Sequence, residues 1–403
     1  RHPMPKNQAA RKLGGVLLGA SLLLLILATP SFGKDGRLSP EELPPIQGLP
    51  DPFLMESGKR VQSVEDWNQR REEIKDLLLD YEYGHMPPAP GDMRAEETES
   101  MDLFGGKATL KRILLSFGEN QEIQMNVGIY LPKEQSEPRP VIFLNDMVWY
   151  EHLRPLAERI LDEGFIFAGF DRHDLDRDDK DRSDGVHPLY PDYDWGTLAV
   201  WAWGCMRVVD YLVTLDEVDS SKIALTGHSR AGKVALLAGG MDDRIAMVVP
   251  NGSGAGGAGS FKIEEKGVET LELITQPERF QYWFQKDLRD FVGHEDRLPF
   301  DQHFLKALVA PRLLLSTDAL GDQWANPLGT QQTHRAAQPV FDFLGVPDHN
   351  AIHFREGGHD MLKPDWDALL DFAGHHFLRK PLGEDYKEVP FPDVPLELNW
   401  KRP

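Results

Sequence analysis

The chain has 403 residues, 41% hydrophobic and 27% charged, an ordinary globular composition with enough apolar surface for one large core. Its 65 acidic against 44 basic residues leave a formal net charge of −21, which repels polyphosphate at long range and excludes nucleic acid as an expected partner. Cys205 is the single cysteine, so no intrachain disulfide can form; among Trp201, Ala202, Trp203 and Val208 it reads as a small core side chain without a part in catalysis.

Arg1, Lys6, Arg11 and Lys12 precede an apolar run over 13–28, and the small residues Ser31 and Gly33 follow it. This pattern predicts a secretory signal peptide over 1–33 and a secreted or periplasmic protein. The run falls short of the roughly 20 residues that span a bilayer, so no stable membrane insertion is expected after cleavage, with a retained anchor as the alternative. Residues 34–100 read as an N-terminal extension, proline-rich over 38–52 and helical over 60–83. The catalytic domain is expected over 101–380 and an extended tail rich in proline and charge over 381–403.

Within the expected domain, 109–116 and 123–130 read as antiparallel strands bounded by Gly118 and Pro132. The short apolar runs 141–144 and 165–170 suit strands buried on both faces, as do 222–226, 245–249 and 310–316. Helical stretches at 153–163, 198–215, 231–239 and 364–377 alternate with them. The alternation predicts an α/β chain with a mostly parallel, doubly wound sheet flanked by helices, a three-layer sandwich.

The strongest chemical signal is IALTGHSRAGK over 223–233. A strand that runs through glycine, any residue and serine into a helix is the setting of a nucleophile elbow, which lifts Ser229 above the sheet and makes an α/β-hydrolase fold the expectation. Ala231 stands where the common pattern has its second glycine; Gly227 and Ser229 would otherwise serve as a turn and a helix cap. Partners follow in the order Ser, acid, His that this fold uses. Asp318 and Asp322 lie just beyond the strand over 310–316, and His359 lies in the glycine-flanked EGGHD before the last helix. A serine hydroxyl needs an imidazole to take its proton, and the imidazole needs a carboxylate to orient it. For the oxyanion the candidates are the Arg230 backbone N–H and then its guanidinium, since no HGGG-type loop follows 141–144, where the chain reads Asn145, Asp146, Met147.

These motifs resemble those of bacterial glucuronoyl esterases, which cleave esters of 4-O-methyl-glucuronic acid that join xylan to lignin. The resemblance spans roughly 67–377 and rests on GVHPLY (185–190), DWGTLAVWAWG (194–204), GHSRAGK (227–233), SGAGGAG (253–259), DQHFLKALVAPR (301–312) and DQWANP (322–327). It implies Ser229 as nucleophile, His359 as base, Arg230 as oxyanion residue, and Lys233, Glu269 and Trp324 as substrate contacts. In many members the triad acid is a glutamate directly before SGAGG, but here that place is Gly252. The resemblance therefore favours Asp322 as the acid, with Asp318 the alternative.

The implied reaction goes through an acyl-enzyme on Ser229, with no metal or organic cofactor, on a glucuronoxylan or lignin–carbohydrate ester, in a protein expected to be a monomer. An acetylxylan or feruloyl esterase is the rival within esterases. A non-catalytic, polysaccharide-binding homologue is the rival outside them.

Overall fold

The structure is a computed structural model that describes residues 37–403, so the secretory leader expected over 1–33 lies outside the described residues. In chain order the elements are α1 (Val64–Leu78), β1 (Arg94–Leu103), β2 (Ala108–Phe117), β3 (Ile123–Pro132), β4 (Arg139–Leu144), α2 (Arg154–Asp162), β5 (Ile166–Phe170) and α3 (Thr197–Leu212). They continue with β6 (Val218–His228), α4 (Arg230–Met241), β7 (Ile245–Asn251), α5 (Leu271–Ile274), α6 (His303–Val309), β8 (Leu313–Ala319), α7 (Pro327–Phe343), β9 (Asn350–Arg355) and α8 (Lys363–Leu378). The strands form one sheet in the order β1-β2-β3-β5-β4-β6-β7-β8-β9. Pairing is antiparallel from β1 through β3 to β5 and parallel from β5 to β9.

Alternation along the parallel strands divides the interior into two layers. Val141, Phe143, Ile223, Leu225 and Val248 point to the side packed with residues of α1, α3, α4, α6 and α7. Their neighbours Ile142, Leu144, Ala224, Met247 and Val249 pack against α2 and α8. All residues of β5 and β8 are buried, the consequence of helices on both faces. This is the three-layer α/β-hydrolase architecture, with β6, β7 and β8 neighbours in the parallel half and their carboxyl ends on one rim, where this type of sheet builds its site.

Five elements go beyond the sequence expectations: β1, α5, α6, α7 and β9. Nine of the ten residues of β1 are exposed, so no buried face marks it in the sequence. The α7 helix is polar and carries Pro339, yet it is largely buried. Its polar side chains have partners: Gln331 Nε2 donates to Phe391 O at 2.9 Å and Gln332 Nε2 to Pro395 O at 3.0 Å. The C-terminal segment, free of helix and strand after Leu378, thus lies against α7, and it covers the β9 edge through Ile352 N–H to Tyr386 O at 2.8 Å.

Candidate active site

Between β6 and α4 the chain turns on Ser229, whose φ of 57° and ψ of −122° are strained for a residue with a side chain. Neighbouring residues hold it there. Ser229 N–H donates to Asn251 O at 2.9 Å, and the buried Asn145 Nδ2 donates to Ala231 O at 2.7 Å. A Cβ on Gly227 would lie 2.4 Å from Ala231 O, so only glycine fits that close approach. Ala231 itself is tolerated at the place of the usual second glycine, and the tight backbone contact falls to Gly232, whose Cβ would lie 2.8 Å from Asn251 O.

His359 Nε2 lies 2.8 Å from Ser229 Oγ, and His359 Nδ1 lies 2.6 Å from Asp322 Oδ2. With the carboxylate on Nδ1–H, the bare Nε2 faces the serine hydroxyl as a proton acceptor. Asp322 is buried, while the His359 side chain is 36% exposed and open to a substrate. Asp318 does not join this chain: it is 1% exposed, accepts Thr330 Oγ1 at 3.3 Å and the Ala319 N–H at 2.8 Å, and burial holds its carboxyl well above the usual range. Gly252, which stands where many members of the family carry a glutamate, has φ 49°. A Cβ there would lie 3.4 Å from Asp322 Oδ2, so a side chain reaching from that place would compete for the space the aspartate occupies.

The Arg230 N–H, first in α4, has no acceptor within its helix and faces the rim beside Ser229. The Arg230 guanidinium pairs with Asp178 and lies 5.4 Å over the Trp283 ring. Burial lowers its affinity for its proton from the ordinary arginine value without threatening the charge. Asp178 also accepts Trp283 Nε1 at 2.7 Å and Tyr282 Oη at 2.8 Å.

Lys233, which the resemblance implies as a substrate contact, lies under the same rim beside Glu269. Read from sequence as a donor to sugar hydroxyls, it is 2% exposed, and its three protons go to Ser253 O at 2.7 Å, Glu269 Oε2 at 2.6 Å and Ala255 O. These bonds tie Lys233 to Glu269 and to the 253–255 loop. Glu269 is buried, and burial raises its pKa against the pull of Lys233. Its N–H donates to Trp324 O at 2.8 Å, which ties the carboxylate to the half-buried Trp324. The Arg279 guanidinium lies 5.7 Å over the Trp324 ring, and Phe280 stacks on Trp283 at 4.1 Å.

Sequence reasoning missed Asp178, Trp283 and Arg279. Asp178 sits in the charge-rich DLDRDDKDRSD, which reads as a solvated loop, and nothing local marks Tyr282 and Trp283, the two aromatics that meet it. Among the described residues no group of three or more His, Cys, Asp or Glu side chains is arranged to hold a metal, and no helix is long and apolar enough to cross a membrane.

A sheet of this topology with a serine, an imidazole and a carboxylate in hydrogen-bonded series at the rim of β6 and β8 defines an α/β-hydrolase built for ester hydrolysis. The family profile described as glucuronyl esterase of fungi matches residues 116–345, and the chain belongs to the glucuronoyl esterase family. A carbohydrate esterase from an unknown prokaryotic organism is 32% identical over 393 residues, covering 82% of this chain and 90% of that relative. The 4-O-methyl-glucuronoyl methylesterase 1 of Wolfiporia cocos is 29% identical, over 82% of each chain. Among solved structures, a promiscuous carbohydrate esterase family 15 esterase from a marine bacterial metagenome has a TM-score of 0.72 at 30% identity, covering 84% of this chain and 98% of its own. The family 15 glucuronoyl esterase of Caldicellulosiruptor kristjansonii has a TM-score of 0.76 at 29% identity, covering 89% and 98%.

Proposed function

We propose that the chain is an exported, monomeric glucuronoyl esterase that cleaves esters of (4-O-methyl-)glucuronic acid, such as those joining glucuronoxylan to lignin alcohols, with Ser229 as nucleophile, His359 as base and Asp322 as acid. The observation that carries this reading is the unbroken series from Ser229 Oγ through His359 to Asp322 Oδ2, with contacts of 2.8 and 2.6 Å. Ser229 Oγ attacks the ester carbonyl as His359 Nε2 takes its proton, and the Arg230 N–H and guanidinium meet the oxyanion. Collapse breaks the bond to the alcohol, which leaves with the proton from His359. Water then repeats the sequence on the acyl-enzyme and frees the uronic acid. Asp322 keeps Nδ1 protonated throughout and stabilises the imidazolium.

Glu269 accepts hydrogen bonds from the sugar hydroxyls, and Trp324 offers a ring to the sugar face. A carboxylate and an aromatic ring beside the nucleophile suit a hydroxyl-bearing sugar acid, and an acetyl group would use neither, which favours the glucuronate over an acetyl ester. The aligned triad likewise disfavours a protein that only binds polysaccharide. The test is hydrolysis of benzyl glucuronate beside p-nitrophenyl acetate by the wild type and Ser229→Ala. Turnover of the glucuronate that disappears in the variant is the expected result; turnover of acetate alone would turn the reading to an acetyl esterase, and none on either ester to a binding protein.

A further inference from the structure

A buried polar strut, centred on Arg355 and Asp365, underlies the loop that carries the base. Arg355, the last residue of β9, is 7% exposed, and its guanidinium faces the loop that carries His359. Nη1 donates to Glu356 O at 2.9 Å; Nη2 donates to Gly358 O at 3.2 Å and to Asp360 O. Three carbonyls of the loop, two of them from the residues on either side of His359, therefore end on one planar cation. Its Nε donates to Asp365 Oδ2 at 2.6 Å, and Asp365, 0% exposed in the first turn of α8, also accepts the Leu362 N–H at 2.7 Å.

The strut continues to the nucleophile. Asn251 Nδ2 donates to Asp365 Oδ1 at 3.1 Å and to Thr317 Oγ1 at 2.9 Å, while Asn251 O receives the Ser229 N–H at 2.9 Å. Asn251 Oδ1 meets His228 Nδ1 at 2.7 Å, and the His228 ring lies 4.6 Å from that of His359. Two backbone bonds fasten the acid loop to the same strand end: Leu320 N–H to Arg355 O at 2.8 Å and Gly321 N–H to Gly357 O at 2.9 Å. Elbow, acid loop and base loop come from β6, β8 and β9, and their common support is the set Asn251, Asp365 and Arg355.

We infer that Arg355, held by Asp365, is a positioning residue that sets the reach of His359 to Ser229. The inference rests on the proposed roles of Ser229 and His359. Only a guanidinium can serve it: the planar fork donates to the carboxylate from Nε while Nη1 and Nη2 reach three carbonyls in other directions. A lysine at that place has one nitrogen and cannot satisfy all four acceptors. Holding a base loop to a few tenths of an ångström governs proton transfer in the transition state and leaves ground-state binding of the sugar nearly untouched.

The experiment compares Arg355→Lys and Arg355→Ala with the wild type in three readouts: kcat and KM on benzyl glucuronate, the rate at which a fluorophosphonate labels Ser229, and the melting temperature. Both variants are expected to lose about 10- to 100-fold in kcat and in labelling rate, with KM within about twofold, at a temperature where both remain folded. Methylguanidinium added to Arg355→Ala is expected to restore part of the labelling rate. Labelling and kcat within twofold of wild type in Arg355→Lys would overturn the inference, as would a loss accounted for by the unfolded fraction alone. Should Arg355→Ala fail to fold, Arg355→Lys, which can keep its pair with Asp365, decides the matter. A wild type that labels at Ser229 without hydrolysing glucuronate would instead count against the substrate reading and leave the labelling comparison valid.

Discussion

Two aspartates four positions apart show how environment assigns roles that composition leaves open. Asp322 Oδ2 sits 2.6 Å from the imidazole, whereas Asp318 is enclosed beside Thr330, away from the imidazole, and burial raises its pKa above the ordinary carboxylate range. Asp322→Ala is expected to lower kcat about 10³- to 10⁴-fold, and Asp318→Asn to leave it within a few-fold, measured on benzyl glucuronate. The reverse order would reassign the acid. Because the missing Cβ of Gly252 lies 3.4 Å from Asp322 Oδ2, Gly252→Glu placed on Asp322→Ala is expected to recover at least tenfold of the lost rate; no recovery would mean that a carboxylate from that side cannot reach His359. Ser229, His359 and the pair of candidate acids were legible because the chemistry demands those residue types in a known order around an elbow. Arg355, Asp178 and Asn251 were not. Their work is done by contacts between β9, β7 and the loop after β5, and charged or amide residues in such places look like ordinary surface or turn positions.

At the level of elements the elbow is the most constrained piece. The Ser229 backbone is held at φ 57° by the approach of α4 to the end of β6, and Gly227 permits that approach. Gly227→Ala forces a Cβ to within 2.4 Å of Ala231 O and is expected to cost about 1–3 kcal/mol in chemical denaturation while also reducing kcat. Full stability with full activity would show that α4 can retreat without disturbing Ser229. The parallel strands were legible for a simple reason: burial on both faces makes them uninterrupted apolar runs, as in β5 and β8. The same logic hid β1, which has no buried face, and α7, whose Gln331 and Gln332 face inward because carbonyls of the C-terminal segment need donors there. The short β9, NAIHFR, gives no clear period and becomes a strand by pairing in parallel with β8 and by the cover of Tyr386 O.

Across the molecule, buried ionisable groups set opposing pH dependences. Glu82 is fully buried with Gln302 Nε2 on Oε1 at 2.7 Å, and burial pushes its carboxyl up to about 8 from an ordinary 4.5. Between those values the unfolded chain has released the proton and the folded chain keeps it, so stability falls as pH rises through the window. Glu82→Gln, which mimics the neutral acid, should therefore gain in melting temperature relative to wild type between pH 5.5 and 8.5; a difference independent of pH would show that Glu82 is ionised in the fold. His303 acts in the other direction. Its Nε2–H donates to Pro50 O at 2.8 Å, its Nδ1 has no partner among the described residues, and burial pulls it down to about 3, as it does His334. Neutral in the fold, both contribute stability above pH 6.5 that is lost as the unfolded chain takes up protons on acidification.

The two margins of the sheet are finished differently. The β9 margin lies under the C-terminal segment, but β1 presents a row that includes Glu96, Glu97, Glu99 and Asp102, with a bulge between Glu97 and Glu99. A second molecule adding its own β1 there would set carboxylate against carboxylate along a kinked ladder. The outermost strand thus presents a charged, kinked edge that disfavours pairing with a second copy of itself.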